Sequence, residues 1–218
     1  NYYLIHVDKS SGPELHADIK EFLKPYQNTA MLESRRAVWG GYSLVDAELR
    51  GMKKLLEMGA NWTHFINLSG QDFPLKSQAY IRAFVEAHPG KQFIRSVDQQ
   101  VTRPDTMNRL SHFFIEGLGR IFRTRVRRAA LADVVPQIGT QWKLVDRAFC
   151  TFITQSRLVD RFRHFYRYSL IPDEAFFQTV MANTPGHGAV INDDLRCIDW
   201  VADGPIKLRP RTFTSNDA

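Results

Sequence analysis

Apolar runs at residues 2–7, 29–33, 63–68 and 92–95 alternate with stretches whose apolar residues recur at helical spacing. That alternation leaves few folds open, since each helix must bury its stripe against a sheet built from the runs between. The clearest helix opens at Ser43, with Asp46 three residues on, carries Leu44, Val45, Leu49, Met52, Leu55 and Leu56, and is closed by Gly59. Another starts at Ser10-Ser11-Gly12-Pro13 and presents Leu15, Ile19, Phe22 and Leu23. A third starts at Ser77, carries Tyr80, Ile81, Phe84 and Val85, and stops at Pro89-Gly90. The pattern predicts a doubly wound α/β domain with a parallel-rich sheet covered on both faces.

From about 97 to 138 the periodicity weakens and polar and basic residues take over, as in an excursion or a loop region facing an acceptor. Order returns with Trp142-Lys143-Leu144-Val145, helices at 147–156 and 157–167, a helix Ala175–Met181 opened by Pro172-Asp173-Glu174, and a strand-like Gly188–Ile191. At 218 residues the chain has room for one domain with a sizeable core. It holds no run of about 18 apolar residues and no leading signal segment. It begins inside an apparent strand, so the expectation is a single domain over 1–218 that is truncated at both ends.

Cys150 and Cys197 are too few for a disulfide framework, and their apolar neighbours predict buried free thiols. The triplets Asn61-Trp62-Thr63 and Asn67-Leu68-Ser69 read as chance matches to a glycosylation signal, the second at a strand end that should be buried. The net charge of +6 points to anionic partners. Arg120, Arg123, Arg125, Arg127 and Arg128 crowd together, read as a solvated helix face, and Lys207, Arg209 and Arg211 alternate near the end. No nucleic-acid motif accompanies them, so no nucleic-acid partner is expected.

Phe65–Leu75 combines an apolar run with the abrupt polar turn Ser69-Gly70-Gln71-Asp72. Ligands of open α/β sheets bind beyond the carboxyl ends of strands, although a plain turn after a core strand has the same appearance. Histidines are scattered and no metal-ligand spacing occurs, so no metal site is expected; Asp193-Asp194 reads as a turn. Nucleophile-elbow, phosphate-loop and dinucleotide signatures are absent as well. Glu174 stands at a helix start, which favours its charged form, beside Phe176-Phe177, which disfavour it. It could be a general base or simply a first-turn acid. Trp39-Gly40-Gly41 and Gly139-Thr140-Gln141-Trp142 each put an indole beside glycine, where backbone can approach a ligand; a core plug is the competing reading.

Taken in order, Ile5–Lys9, Val38–Leu44, Phe65–Leu75, Gly139–Trp142 with Arg147–Cys150, Pro172–Val180 and Asn192–Arg196 resemble glycosyltransferase family 14. This is the core-2/I-branching N-acetylglucosaminyltransferase and peptide O-xylosyltransferase family, and Gly-Thr-Gln-Trp and Phe-Phe-Gln-Thr-Val resemble its xylosyltransferase branch more. The resemblance implies a glycosyltransferase A type nucleotide-binding sandwich with a mixed, mostly parallel sheet, here without its first strand. It implies an inverting enzyme that moves N-acetylglucosamine or xylose from a UDP-sugar to a glycan or peptide acceptor. The UDP-sugar is the donor substrate, and neither cofactor nor metal is implied.

On that resemblance Glu174 is the catalytic base, Asp8, Ala37, Val38 and Trp39 hold the nucleotide, and Gln141 and Trp142 meet the donor sugar. An Arg-Lys pair that meets the diphosphate in the family would fall beyond Ala218. Gln141 stands where xylosyltransferases have aspartate, and the cysteines of the animal enzymes' disulfides have no counterpart. The full-length protein could associate with a membrane, at the cytoplasmic face in a bacterium or in the Golgi or ER lumen of a eukaryote. The alternative is a noncatalytic carbohydrate- or polyanion-binding module on the same fold.

Overall fold

A computed structural model describes residues 1–59, 61–202, 208–214 and 217. Its regular elements, in chain order, are β1 (Tyr3–Ile5), α1 (Pro13–Leu23), β2 (Thr29–Met31), α2 (Tyr42–Glu57), β3 (His64–Ile66), α3 (Gln78–Glu86) and β4 (Lys91–Ile94). There follow β5 (Val97–Asp98), α4 (Gln99–Thr102), β6 (His112–Gly117), β7 (Arg120–Arg127), β8 (Gln137–Ile138) and β9 (Lys143–Asp146). The last are α5 (Arg147–Gln155), α6 (Asp160–Tyr166), α7 (Phe176–Asn183), β10 (Ala189–Ile191), β11 (Trp200–Ala202) and β12 (Leu208–Pro210). Lys207, in the basic alternation near the end, lies outside the described residues.

The central sheet has the order β10-β4-β9-β3. β10 runs parallel to β4, whereas β9 is antiparallel to both β4 and β3, with Leu144 facing Phe93 on one side and Ile66 on the other. The sheet is therefore mixed, and one of its three described pairings is parallel, fewer than the expected mostly parallel sheet. The reason is the route into β9: the chain arrives from the 97–138 excursion rather than through a crossover helix, so nothing obliges it to run with its neighbours. β1 and β2 form a separate parallel pair.

The excursion is itself structured. β6 and β7 form an antiparallel hairpin with a register irregularity between His112 and Phe114, and β5 pairs with β8. The arginine cluster thus lies on a strand, not on the helix face expected from its charge. Arg128 leaves that set altogether: its guanidinium donates to Leu110 O, Phe165 O and Ser169 Oγ and lies 3.9 Å from the Phe165 ring centroid.

The apolar stripe of α2 packs with α5 and α7 into the core, which contains Val45, Met52, Val145, Phe149, Cys150, Ile153, Phe176, Phe177 and Val180. Gly59 does close α2, at φ +67°. Its start differs from the sequence expectation: Gly41 is the N-cap, without a side-chain cap. Ser43 lies inside the first turn, and its Oγ accepts from Val38 N at 2.7 Å. Cys150 is buried as expected, but Cys197 is exposed, because residues 192–199 cross the surface without regular structure. Among the described residues no helix is long and apolar enough to cross a membrane.

Candidate active site

Asp8 ends the short segment after β1, and its carboxylate is spent on backbone. Oδ2 accepts from Ala37 N at 2.6 Å, while Oδ1 accepts from Ser10 N at 2.6 Å and from Ser10 Oγ. Burial acts to raise its proton affinity, but the hydrogen bonds from Ser10 and Ala37 outweigh it and hold the carboxyl below the usual aspartate range. Asp8 and Ala37, 29 positions apart, are thereby fixed to each other. Val38 is buried, whereas the Trp39 indole is 79% exposed.

The loop then turns at Gly40, φ +76°, and its carbonyl accepts from Ile171 N at 2.8 Å. Ile171, at φ +51°, leads directly into the turn Pro172–Glu174. A non-glycine residue adopts that left-handed backbone at a cost, so the hydrogen bond to Gly40 helps hold the turn in place. Next along, Glu116 of β6 receives the Ser43 N–H at 3.0 Å, placing a carboxylate at the N-terminus of α2, where the free N–H groups favour an anion. A Cβ at Gly41 would come 2.4 Å from Glu116 Oε2, so glycine there is what admits the carboxylate.

Glu174 is half-buried, and its Oε2 accepts from Arg109 Nη1 at 2.8 Å. Its backbone carbonyl accepts from Gly139 N at 2.8 Å. The loop from Gly139 to Trp142 is fastened at several further points. Gln178 of α7 donates to Thr140 O at 2.7 Å, and Thr140 Oγ1 donates to Asp194 Oδ2 at 2.6 Å. Asn67 at the end of β3 donates to Gln141 O at 2.9 Å and accepts from Lys143 N at 2.8 Å. The side chain of Asn67 is thus a buckle between β3 and the loop. Arg196 donates to Asn67 O at 2.8 Å and lies 5.4 Å from the Trp142 ring centroid.

Beneath the loop Lys143 is fully buried. Its Nζ donates to Gln141 O at 2.6 Å and to Glu48 Oε2 of α2 at 2.7 Å, and lies 4.1 Å from the Phe177 ring centroid. Burial pushes the Glu48 carboxyl up, against the attraction of Lys143. Asp173, beside Glu174, is also buried, and its Oδ1 has no hydrogen-bond partner. Burial first, and Glu174 next, push that carboxyl up to about 7.

The residues picked from the sequence fall into two groups that meet around one turn. Asp8, Ala37, Val38 and Trp39 reach it through Gly40 and Ile171; Gln141 and Trp142 reach it through Gly139; Glu174 is the turn. Asp72 accepts from Ser69 N and Asp193 from Leu195 N, as in turns, while Asp194 accepts from both Arg196 N and Thr140 Oγ1. Among the described residues no cluster of three His, Cys, Asp or Glu is arranged to hold a metal. Arg109, Glu116, Glu48 and Lys143 were not picked; Arg109 and Glu116 belong to the aperiodic excursion, where no local signal singles them out.

Residues 1–218 match the family model described as Core-2/I-Branching enzyme. The chain is similar to xylosyltransferase 2 of Mus musculus, with 33% identity across 92% of this chain and 23% of the relative. Xylosyltransferase 1 of Canis lupus familiaris is 34% identical across 92% of this chain and 21% of its own length. For xylosyltransferase 1 of Homo sapiens the values are 33%, 92% and 21%. The chain spans less than a quarter of each of these relatives.

Proposed function

The chain belongs to the Core-2/I-Branching enzyme family, glycosyltransferase family 14, and on that premise we propose that it moves N-acetylglucosamine or xylose from a UDP-sugar to a hydroxyl of a glycan or peptide acceptor, with inversion and without a metal. In this reading Asp8 and Ala37–Trp39 hold the nucleotide, and Gln141 and Trp142 meet the donor sugar. Glu174 takes the proton of the acceptor hydroxyl as that oxygen bonds to the anomeric carbon. The bond from the anomeric carbon to the diphosphate breaks on the opposite side, and its electron pair leaves with UDP. The observation that carries the reading is the joining of both loops to the one turn that bears Glu174, which is half-buried and paired with a guanidinium. Donor loop and base then keep a fixed spacing, and fixed spacing is what an in-line displacement needs.

The test uses the full-length protein. Glu174→Gln should lower transfer by about 10²–10⁴-fold, while UDP affinity, measured calorimetrically with and without EDTA, stays within about threefold. Normal turnover by the variant would remove Glu174 as base, and UDP binding abolished by EDTA would remove the metal-free reading. A second reading, a noncatalytic polyanion-binding module, is favoured by the exposed Arg120, Arg123, Arg125 and Arg127 of β7. Salt-sensitive binding of anionic polymers without UDP affinity would select it.

A further inference from the structure

A buried carboxyl that the reaction does not use sits next to the candidate base. Asp173 is 5% exposed, and its Oδ1 touches neither solvent nor a hydrogen-bond donor. Its turn offers one donor, the N–H of Asp173 itself: Pro172 has no N–H, the Ile171 N–H is spent on Gly40 O at 2.8 Å, and the Ala175 N–H on Pro172 O at 3.1 Å. The charged groups that face it are Glu174 on its own turn, Glu48 from α2 and Lys143 from β9. Two of these are acids, and Lys143 is already committed to Glu48 and to Gln141 O.

An ionised carboxylate buried with a single backbone donor and one oxygen unpartnered is strongly disfavoured, whereas the neutral acid is tolerated. Glu174 has the opposite surroundings, a guanidinium at 2.8 Å and a side chain 36% exposed. We propose that Asp173 is a positioning residue that keeps its own proton and thereby leaves the single negative charge of the Asp173–Glu174 pair on Glu174, facing Arg109. Were Asp173 to ionise, two like charges would stand side by side on one short turn, and the pair would share protons rather than divide the roles. Asp173 acts through Glu174 and touches no reacting atom.

The inference rests on Glu174 being the base, so its test has a readout that needs no activity. In the full-length wild-type protein, carbon NMR of the aspartate carboxyls, each assigned through its own Cβ, follows Asp173 across a pH series. The Asp173 signal should titrate with its midpoint near pH 7; titration in the ordinary aspartate range, at about 4, would overturn the inference. A transfer profile against pH supplies the functional half. Asp173→Asn, which copies the neutral acid, should move the alkaline limb upward by about one pH unit, and a profile superimposable on wild type would overturn the positioning role. Normal transfer by Glu174→Gln sinks the assignment of the base; ordinary titration of Asp173 with an inactive Glu174→Gln sinks the inference alone.

Discussion

The backbone N–H of Gly139 donates to the carbonyl of Glu174 at 2.8 Å, so the loop that carries Gln141 and Trp142 starts from the residue that carries the candidate base. The contact depends on the absence of a side chain. A Cβ at Gly139 would stand 1.8 Å from Arg95 O, a backbone atom of the two-residue link between β4 and β5. Gly139→Ala should therefore destabilise the fold by about 3 kcal/mol, at the upper end of overpacking costs, and urea melts measure it. A loss below about 0.5 kcal/mol would mean that the loop and Arg95 can separate freely.

Arg109 pairs with Glu174 across 65 positions, and both side chains retain some access to water. A pair of that kind adds at most about 1 kcal/mol to stability, yet it fixes where the Glu174 carboxylate points. Arg109→Ala should thus lower transfer by about tenfold or more while urea melts show a loss near 1 kcal/mol. Equal and small effects on both would leave the guanidinium without a role in orientation.

Lys143 and Glu48 form a buried pair at 2.7 Å, with Lys143 also holding Gln141 O. Taking away one member leaves the other charge buried and unmatched, so Lys143→Met should cost about 3–5 kcal/mol. Replacing both, Lys143→Met with Glu48→Leu, should recover most of that loss, because the unmatched charge is gone. Stability and transfer should then part company in the double variant: the core recovers, but Gln141 O has lost its buried donor. A double variant as unstable as Lys143→Met would refute the account of the cost as an unpaired carboxylate.

The helices α1 to α3 were legible because each repeats its apolar residues every three or four positions and carries a punctuating residue, and Gly59 and Ser77 sit where that reading put them. The β6–β7 hairpin was not, because much of it faces water and its arginines spell charge rather than alternation. The direction of β9 likewise depends on the path through that excursion. At the site, Trp39, Gln141, Trp142 and Glu174 stand out locally, as parts of loops that set an indole beside glycine and as an acid at a helix start, whereas Asp8 and the role expected of each residue come only from the resemblance to a family pattern. Glu116 and Arg109 bind partners 73 and 65 positions away, a distance at which a single sequence carries no local sign of pairing. Cys197 was misjudged because apolar neighbours in sequence do not guarantee a covering layer in space.

The proton on Asp173 also sets a pH dependence of stability. Its carboxyl rises from an ordinary 3.8 to about 7 in the fold, mainly through burial and then through Glu174. Between those values the folded chain holds a proton that the unfolded chain has released, so the unfolding free energy falls as pH rises through this window. The contribution is complete below about pH 4 and lost above about pH 7. Asp173→Asn cannot ionise and escapes the loss. Relative to wild type the variant should therefore gain on the order of a few kcal/mol at pH 8, with the gain vanishing as pH falls to 4. Urea melts of both proteins at pH 4, 6 and 8 measure the difference. A gap that stays constant across the three would show that Asp173 ionises alike in the folded and unfolded chains, and would place the charge of the pair on both residues at once.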